Sequence, residues 1–585
     1  MSKISIDVLP QPSYNNKQSP FPLVGQAVKH QTQKTERRAV VMITGAQAMV
    51  KCLESEGVEV VFGYPGAAIC PFYDSLTASA IHHVLIRQEQ NGGHSANGYA
   101  RIAGKPGVCI ATSGPGATNL ITALATAYMD SIPMVAITGQ VATDVLGRDV
   151  FQEADITGSA EPFTKHSYLV KDANDLPRVF KEAFYIAATG RPGPVLIDVP
   201  VDIQKRELSK EFEYPSRVQI IGYKPSIKGH NLQIKKVADA LSNAKKPLIC
   251  VGGGAFAAKG YEMVRRLAEE YGIPAISTMM GIGVFPTKHP LYMGMLGMHG
   301  VKHANQIVRE ADLLLIIGAR VGDRAVSSPD VISPSTTIVH IDIDPAEIGK
   351  NIGTTIPLVG DCRTVIQQLM EHCNSHGRPG DFSEWARYVR RLRDEYKPDI
   401  SSREYGVNPK YFLRRLSEKM PDDAVYIADV GQNQIWSANH IEIRRGRFLT
   451  SGGMGTMGYS VPAAIGAKLA DPEREVIAGC GDGAFQMQMM ELATICQDHV
   501  GVKIIIFCNG KLGMVKEIQK KSYGSRYIAT SLEGNPDFTV LASAYGIPAE
   551  RVTAKEEIDG AIERLLAAKG PYVLECVVDP EESSI

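Results

Sequence analysis

From about residue 40 onward, short apolar runs rich in β-branched residues alternate with segments of helical periodicity, and glycine-rich turns separate them. "VEVVFGYPG", "PGVCIATSGPG", "IPMVAITGQ" and "GPVLIDVP" each read as a strand closed by a Gly or Pro break. Strands that lack polar alternation are buried on both faces. Their alternation with helices is the pattern of a parallel sheet covered on both sides. The expected fold class is α/β, with three doubly wound domains and mostly parallel sheets. The pattern breaks at the charged "VDIQKRELSKEFEYPSR" and again at "EWARYVRRLRDEYK". The expected organisation is a mobile N-terminal extension over 1–38, a first domain over 39–205 and a linker over 206–230. A central domain over 231–375, a linker helix over 376–404 and a third domain over 405–585 follow.

Two stretches resemble each other. "SGPGATNLITALATAYMDSIPMVAITG" and "CGDGAFQMQMMELATICQDHVGVKIIIFCNG" both place a Gly-x-Gly turn ahead of L-A-T-x-x-x-D, at Leu124 and at Leu492, and then an apolar strand. The shared order suggests that the outer domains have one fold and place a ligand between them. In the second stretch "EVIAGC" and "KIIIF" read as neighbouring parallel strands, with "FQMQMMELATICQ" as helical spacer. Asp482 and Asn509 then fall at adjacent carboxyl ends, where open α/β sheets bind ligands. One carboxylate and one amide oxygen suit Mg²⁺ that shares its shell with phosphate oxygens, and the glycines let a phosphate approach the backbone. A plain turn in which Asp482 caps a helix is the alternative.

With 585 residues the chain exceeds what one core supports. Its net charge of −1 gives no field that favours nucleic acid or an anionic membrane. "LLLIIG" and "KIIIF" are too short to span a bilayer, and no signal-peptide core opens the chain. The ten cysteines form no CxxC pair, and Cys109, Cys250 and Cys508 lie in apolar runs. They read as reduced core thiols of a cytoplasmic protein.

Longer motifs carry a more specific resemblance. "TSGGMGTMGYSVPAAIGAKLA", "GMLGMHG", "HIDIDPAEIGKN", "TGRPGPVLIDVP" and "LGMVKEIQ" resemble the acetohydroxyacid (acetolactate) synthase catalytic subunits, a family of thiamin-diphosphate enzymes. The resemblance covers nearly all of residues 41–580. It implies a pyrimidine-binding first domain, an FAD-binding central domain and a diphosphate-binding third domain. The active site would form between the first domain of one subunit and the third of another, in a homodimer or homotetramer. A small regulatory subunit stays open.

The same resemblance assigns residues. Glu89 would bond the cofactor's aminopyrimidine and promote the imino tautomer that takes the reactive proton; locally it reads as a solvated helix-start glutamate. Asp482, Asn509 and the carbonyl of Lys511 would hold Mg²⁺. Gly431, Gln432, Gly455, Met457, Gly481, Gly483 and Ala484 would contact thiamin diphosphate, with Met457 as the wedge that bends it. FAD, largely structural, would lie on Arg191, on Gly252, Gly253 and Gly254, and on Asp342 and Asp361. Gly66, Ala67, Phe151, Gln152, Lys165, Met298, Arg324 and Ile518 would face the 2-oxo acid substrates, with Arg324 on a carboxylate.

The implied reaction decarboxylates pyruvate and adds its two-carbon unit to a second 2-oxo acid. This gives 2-acetolactate or 2-aceto-2-hydroxybutyrate in branched-chain amino acid biosynthesis. Cys508 stands where a first Asn usually precedes the ligand Asn509, a departure expected to spare the metal. Four other departures from the family bear on the reaction. Ile518 stands where a Trp linked to 2-oxobutyrate preference is usual, Val201 where a Lys is and Ala142 where a Pro is, and the fourth is at the C-terminus. The sequence ends at "VVDPEESSI" without the family's longer C-terminal arm, so a more open site or a different cover is expected. Another thiamin-diphosphate decarboxylase or carboligase, a catabolic acetolactate synthase and a non-catalytic nucleotide-binding module remain as alternatives.

Overall fold

The computed structural model describes residues 42–326 and 331–585. The extension expected over 1–38 lies outside the described residues. Among the described residues three six-stranded sheets follow one another, and every strand pairing in them is parallel. The first contains β1 (Val60–Gly63), β2 (His82–Leu85), β3 (Gly107–Ala111), β4 (Met134–Gln140), β5 (His166–Leu169) and β6 (Pro194–Pro200), in the order β2-β1-β3-β4-β6-β5. The central sheet contains β7 (Pro247–Val251), β8 (Ala275–Ser277), β9 (Tyr292–Met295), β10 (Leu313–Ile317), β11 (Thr337–Asp342) and β12 (Ile356–Val359), in the order β12-β11-β10-β7-β8-β9. The third contains β13 (Val425–Ala428), β14 (Arg447–Thr450), β15 (Val476–Gly481), β16 (Lys503–Cys508), β17 (Ala549–Val552) and β18 (Tyr572–Val577), in the order β14-β13-β15-β16-β18-β17. The inner strands β3, β4, β7, β10, β13 and β16 are apolar and buried almost throughout, as helices on both faces require.

The first and third sheets have the same strand order, so the repeat seen in the sequence is a repeat of fold. One sequence offset relates Gly98 to Gly466, Thr126 to Thr494, Asp130 to Asp498 and Ser131 to His499. The last two both take a left-handed backbone, at φ 58° and 51°. The helices Glu89–Ala103 and Ser460–Ala470 cross at their glycines. A Cβ on Gly98 would stand 2.0 Å from the Ala463 carbonyl oxygen, and one on Gly466 1.8 Å from that of Ser95. Tyr459 Oη donates to Asn97 Oδ1 at 2.8 Å across the same crossing. A single hydrophobic core runs through both domains, with Phe62, Tyr99 and Leu124 on one side and Tyr459, Ile465 and Ile504 on the other.

The connections differ from free linkers. Between Lys205 and Asn231 there is no helix or strand beyond one bridge, Thr44 to Glu207. Within 376–404 the helix Ser383–Glu395 packs on the central sheet. Trp385 and Val389 join a core with Leu314 and Ile316, and Trp385 Nε1 donates to the Pro247 carbonyl at 3.0 Å.

Candidate active site

β15 and β16 pair with Gly481 opposite Phe507, so Asp482 and Asn509 begin adjacent turns at their carboxyl ends. Asp482 is buried at 1 % exposure. Its Oδ1 accepts from Gly483 N at 3.0 Å, and its Oδ2 accepts from Gly510 N at 2.8 Å and Asn535 Nδ2 at 2.8 Å. Burial pushes this carboxyl up, while those donors and Cys508 pull it down. Cys508 lies beside this carboxylate, its Sγ 3.7 Å from Asp482 Oδ2. Asn509 Nδ2 donates to Gln432 Oε1 at 2.9 Å, and Lys511 N donates to Asn509 Oδ1 at 3.0 Å.

Open space surrounds this turn. A Cβ built on Gly431, Gly455, Gly481 or Gly510 would meet no atom of the described residues within 4 Å. Gly431, Gly455 and Gly510 also have φ of 137°, 69° and 64°, which restricts the positions to glycine. Half-buried Met457 brings its Cε 3.8 Å from a Cβ on Gly483. Two expected contacts narrow to the backbone. The Gln432 amide is already engaged, its Nε2 donating to Glu517 Oε1 at 2.6 Å and the Glu582 carbonyl at 2.8 Å, so only its backbone is free for a diphosphate. Ala484 is buried at 1 % exposure, so it too could offer only backbone.

A cavity of about 1450 Å³ lies where the central sheet meets the outer domains. Arg191, Gly253, Gly254, Asp342 and Asp361 all line it, and so do Gly455, Met298, Arg324 and Ile518. Gly252 does not: it packs behind the wall, where a Cβ would stand 2.3 Å from the Gly318 carbonyl. Arg191 Nη1 pairs with Glu347 at 2.7 Å and Asp344 at 3.3 Å. Burial pushes the Asp342 carboxyl up to about 6, with Asp344 N donating to it at 2.9 Å. Asp361 caps the helix Cys362–His376 through Thr364 N. Arg324 is 71 % exposed at its side chain, with Nη1 3.5 Å from Met298 Sδ. Ser583, Ser584 and Ile585 are also on the wall. Ser584 is held by Glu517, the Ser583 carbonyl by Trp436 Nε1 at 2.7 Å, and Glu582 by Arg403.

A second group gathers around the Thr112–Gly116 turn of the first domain. Glu89 opens its helix after the Gln88 N-cap and accepts from Asn119 Nδ2 at 2.9 Å. A Cβ on Gly116 would stand 3.2 Å from Glu89 Oε1, and one on Gly66 2.6 Å from Thr112. Gly114, at φ 58°, lies against Gln152, itself at φ 58°. Phe151 is 87 % exposed beside it, and Ala67 is exposed. None of these residues lines the large cavity. Lys165 belongs to neither group: its Nζ donates to the Ile186 and Thr189 carbonyls and to Tyr223 Oη, so no donor remains for a substrate. Val201 and Ala142 sit near each other, joined by Thr143 N to Asp202 Oδ1 at 2.9 Å, and away from the cavity wall.

Sequence reasoning missed two buried carboxylates. Asp429, at the end of β13, accepts from Gly458 N, Ser460 N and Gln488 Nε2 and so fixes the turn after Met457. Its only signal was an acid ending an apolar strand. Glu491 lies in the stretch read as spacer, which the structure breaks into the short helices Asp482–Gln486, Met489–Glu491 and Leu492–Gln497. Together these features provide a buried carboxylate beside a glycine cradle, a separate carboxylate on the first domain and a wide cavity with both charge signs on its wall.

Three family models match this chain: the N-terminal TPP binding domain of thiamine pyrophosphate enzymes over 43–159, the central domain over 234–369 and the C-terminal TPP binding domain over 429–576. A probable acetolactate synthase large subunit of Methanocaldococcus jannaschii is 44% identical over 547 residues, 92% of each chain. The acetolactate synthase large subunit of Corynebacterium glutamicum is 45% identical over 92% of this chain and 87% of its own. An acetolactate synthase of Arthrospira platensis is 44% identical over 94% and 96% respectively.

Proposed function

Because the chain belongs to the acetolactate synthase large subunits of the thiamine pyrophosphate enzymes, we propose that it joins two 2-oxo acids with loss of CO₂. Pyruvate is the donor, and pyruvate or 2-oxobutyrate the acceptor. The product feeds branched-chain amino acid synthesis. The observation that carries this reading is Asp482 and Asn509 on adjacent strand ends beside four glycines that face open space.

Thiamin diphosphate, when bound, supplies an electron sink for the decarboxylation and the carbon–carbon bond. The residues present fit it. Asp482, Asn509 and the Lys511 carbonyl offer oxygen ligands to Mg²⁺. Gly431, Gly455, Gly481 and Gly483 would let the diphosphate approach the backbone, and Met457 would press on the cofactor. Glu89 would hold a proton at a carboxylate oxygen against the aminopyrimidine. Arg324, exposed on the cavity wall, would orient the substrate carboxylate. The cavity exceeds the ~300–1,000 Å³ of usual ligand pockets, which supports FAD on Arg191, Gly253, Gly254, Asp342 and Asp361 beside a substrate passage ending at Met298 and Ile518.

Glu89 and its neighbours lie off that cavity, and Phe151 is bare, which supports a site completed by a second copy of the chain. Relatives named as large subunits support a small regulatory subunit as a further partner. Among the described residues no helix is long and apolar enough to cross a membrane; with the reduced cysteines this supports a cytoplasmic enzyme. Glu89→Gln tests the reading: turnover of pyruvate falls at least about a hundredfold. An unchanged rate would rule Glu89 out. Flavin absorbance in the purified protein, weakened by Asp342→Ala, tests the FAD assignment.

A further inference from the structure

Glu491 is fully buried, at 0 % exposure, in the third domain. Its carboxylate nevertheless serves the first domain. Oε1 accepts from the Arg87 backbone N–H at 3.0 Å and from Asn91 Nδ2 at 3.0 Å. Oε2 accepts from Thr494 Oγ1 at 2.6 Å. Arg87 and Asn91 stand two positions on either side of Glu89. One buried carboxylate thus brackets the residue assigned to the cofactor.

The surrounding contacts reinforce the bracket. Arg87 Nη1 donates to the Leu85 carbonyl at 2.6 Å and Nη2 to Gln497 Oε1 at 2.8 Å. Thr494 Oγ1 lies 3.1 Å from the same Leu85 carbonyl, and His82 Nε2 meets Asp498 at 3.0 Å. Packing alone would be served better by an apolar residue, because a buried carboxylate needs donors to offset its lost hydration. Hydrogen bonds to a backbone amide and to a carboxamide are directional, so they fix where that backbone lies.

We propose that Glu491 is a positioning residue for the reaction: from the third domain it locks the Arg87–Asn91 turn and so aims the Glu89 carboxylate. The proposal rests on the assignment of Glu89 to the cofactor. A gap in aim of about 1 Å costs on the order of a hundredfold in rate.

The test uses the full chain reconstituted with thiamin diphosphate and Mg²⁺, and compares Glu491→Ala, Glu491→Gln and Glu89→Gln. In Glu491→Ala, kcat falls about 10- to 100-fold while KM for pyruvate changes less than about threefold. Amide exchange over Arg87–Asn91, read by mass spectrometry without cofactor, becomes faster. Glu491→Gln restores both, because its Oε1 accepts from the same two donors. Glu89→Gln loses kcat with exchange unchanged. Should Glu491→Ala not fold, Asn91→Ala removes one of the two bracketing contacts and still lowers kcat about tenfold with faster exchange over Arg87–Asn91. An impaired Glu89→Gln beside fully active Glu491→Ala or Asn91→Ala overturns the positioning role alone. So does a Glu491→Gln variant no better than Glu491→Ala. An unimpaired Glu89→Gln overturns the Glu89 assignment, and the positioning role with it.

Discussion

Asp482 reaches its position through a backbone turn, and Asn535 joins the Gly483 and Gly510 amides in orienting its carboxylate. Asn535 Nδ2 donates to Asp482 Oδ2, and Asn535 Oδ1 accepts from Gln486 Nε2 at 2.7 Å. Partners behind a metal ligand commonly carry 10- to 100-fold in affinity, so Asn535→Ala weakens Mg²⁺ binding by about that factor in calorimetric titration with thiamin diphosphate present. Unchanged affinity would show the contact to be incidental. Ile518 is 53 % exposed on the cavity wall. Ile518→Trp fills that wall and raises 2-oxobutyrate over pyruvate as acceptor, as a competition assay with both acids reads directly. At this scale Asp482 and Asn509 were legible because their chemistry sits at strand ends that a local pattern marks. Glu491 was not, because its partners Arg87 and Asn91 are some four hundred positions away in the sequence and only the fold brings them together.

The helices Glu89–Ala103 and Ser460–Ala470 are the elements that place the first domain against the third. Their contact depends on Gly98 and Gly466, where a methyl would strike backbone. Gly98→Ala costs about 3 kcal/mol or more, at the upper end for an overpacked core, read as a lowered midpoint in guanidinium unfolding. His94 lies in the same crossing with its ring 5.4 Å from that of Tyr459. Burial pushes its pKa from 6.5 down to about 3. The folded chain keeps His94 neutral, while the unfolded chain takes up a proton below pH 6.5. The stability it contributes is therefore complete above pH 6.5 and is lost as pH falls toward 3, by about 2 kcal/mol between pH 6.5 and 5. His94→Phe flattens that part of the stability–pH curve. The glycines were visible in the sequence, but helical periodicity alone could not say what they pack against.

For the whole molecule, local alternation of strands and helices sufficed to read three parallel α/β sheets, and one repeated L-A-T-x-x-x-D sufficed to relate the outer two. The large cavity was not legible, since Arg191, Asp342, Gly455 and Ile518 come from all three domains and meet only through packing between sheets. If each site pairs Glu89 of one copy with Asp482 of another, two dead variants complement each other. Glu89→Gln and Asp482→Ala mixed as subunits in equal amounts regain about a quarter of wild-type activity, because random pairing makes half the dimers mixed and each mixed dimer has one intact site. No recovery would place both residues in one copy's site. The account as a whole stands or falls on the product. The purified chain, given pyruvate alone with thiamin diphosphate and Mg²⁺, is predicted to release CO₂ and accumulate 2-acetolactate, and to make neither without the cofactor. Free acetaldehyde in place of 2-acetolactate, or no turnover of pyruvate, would contradict it.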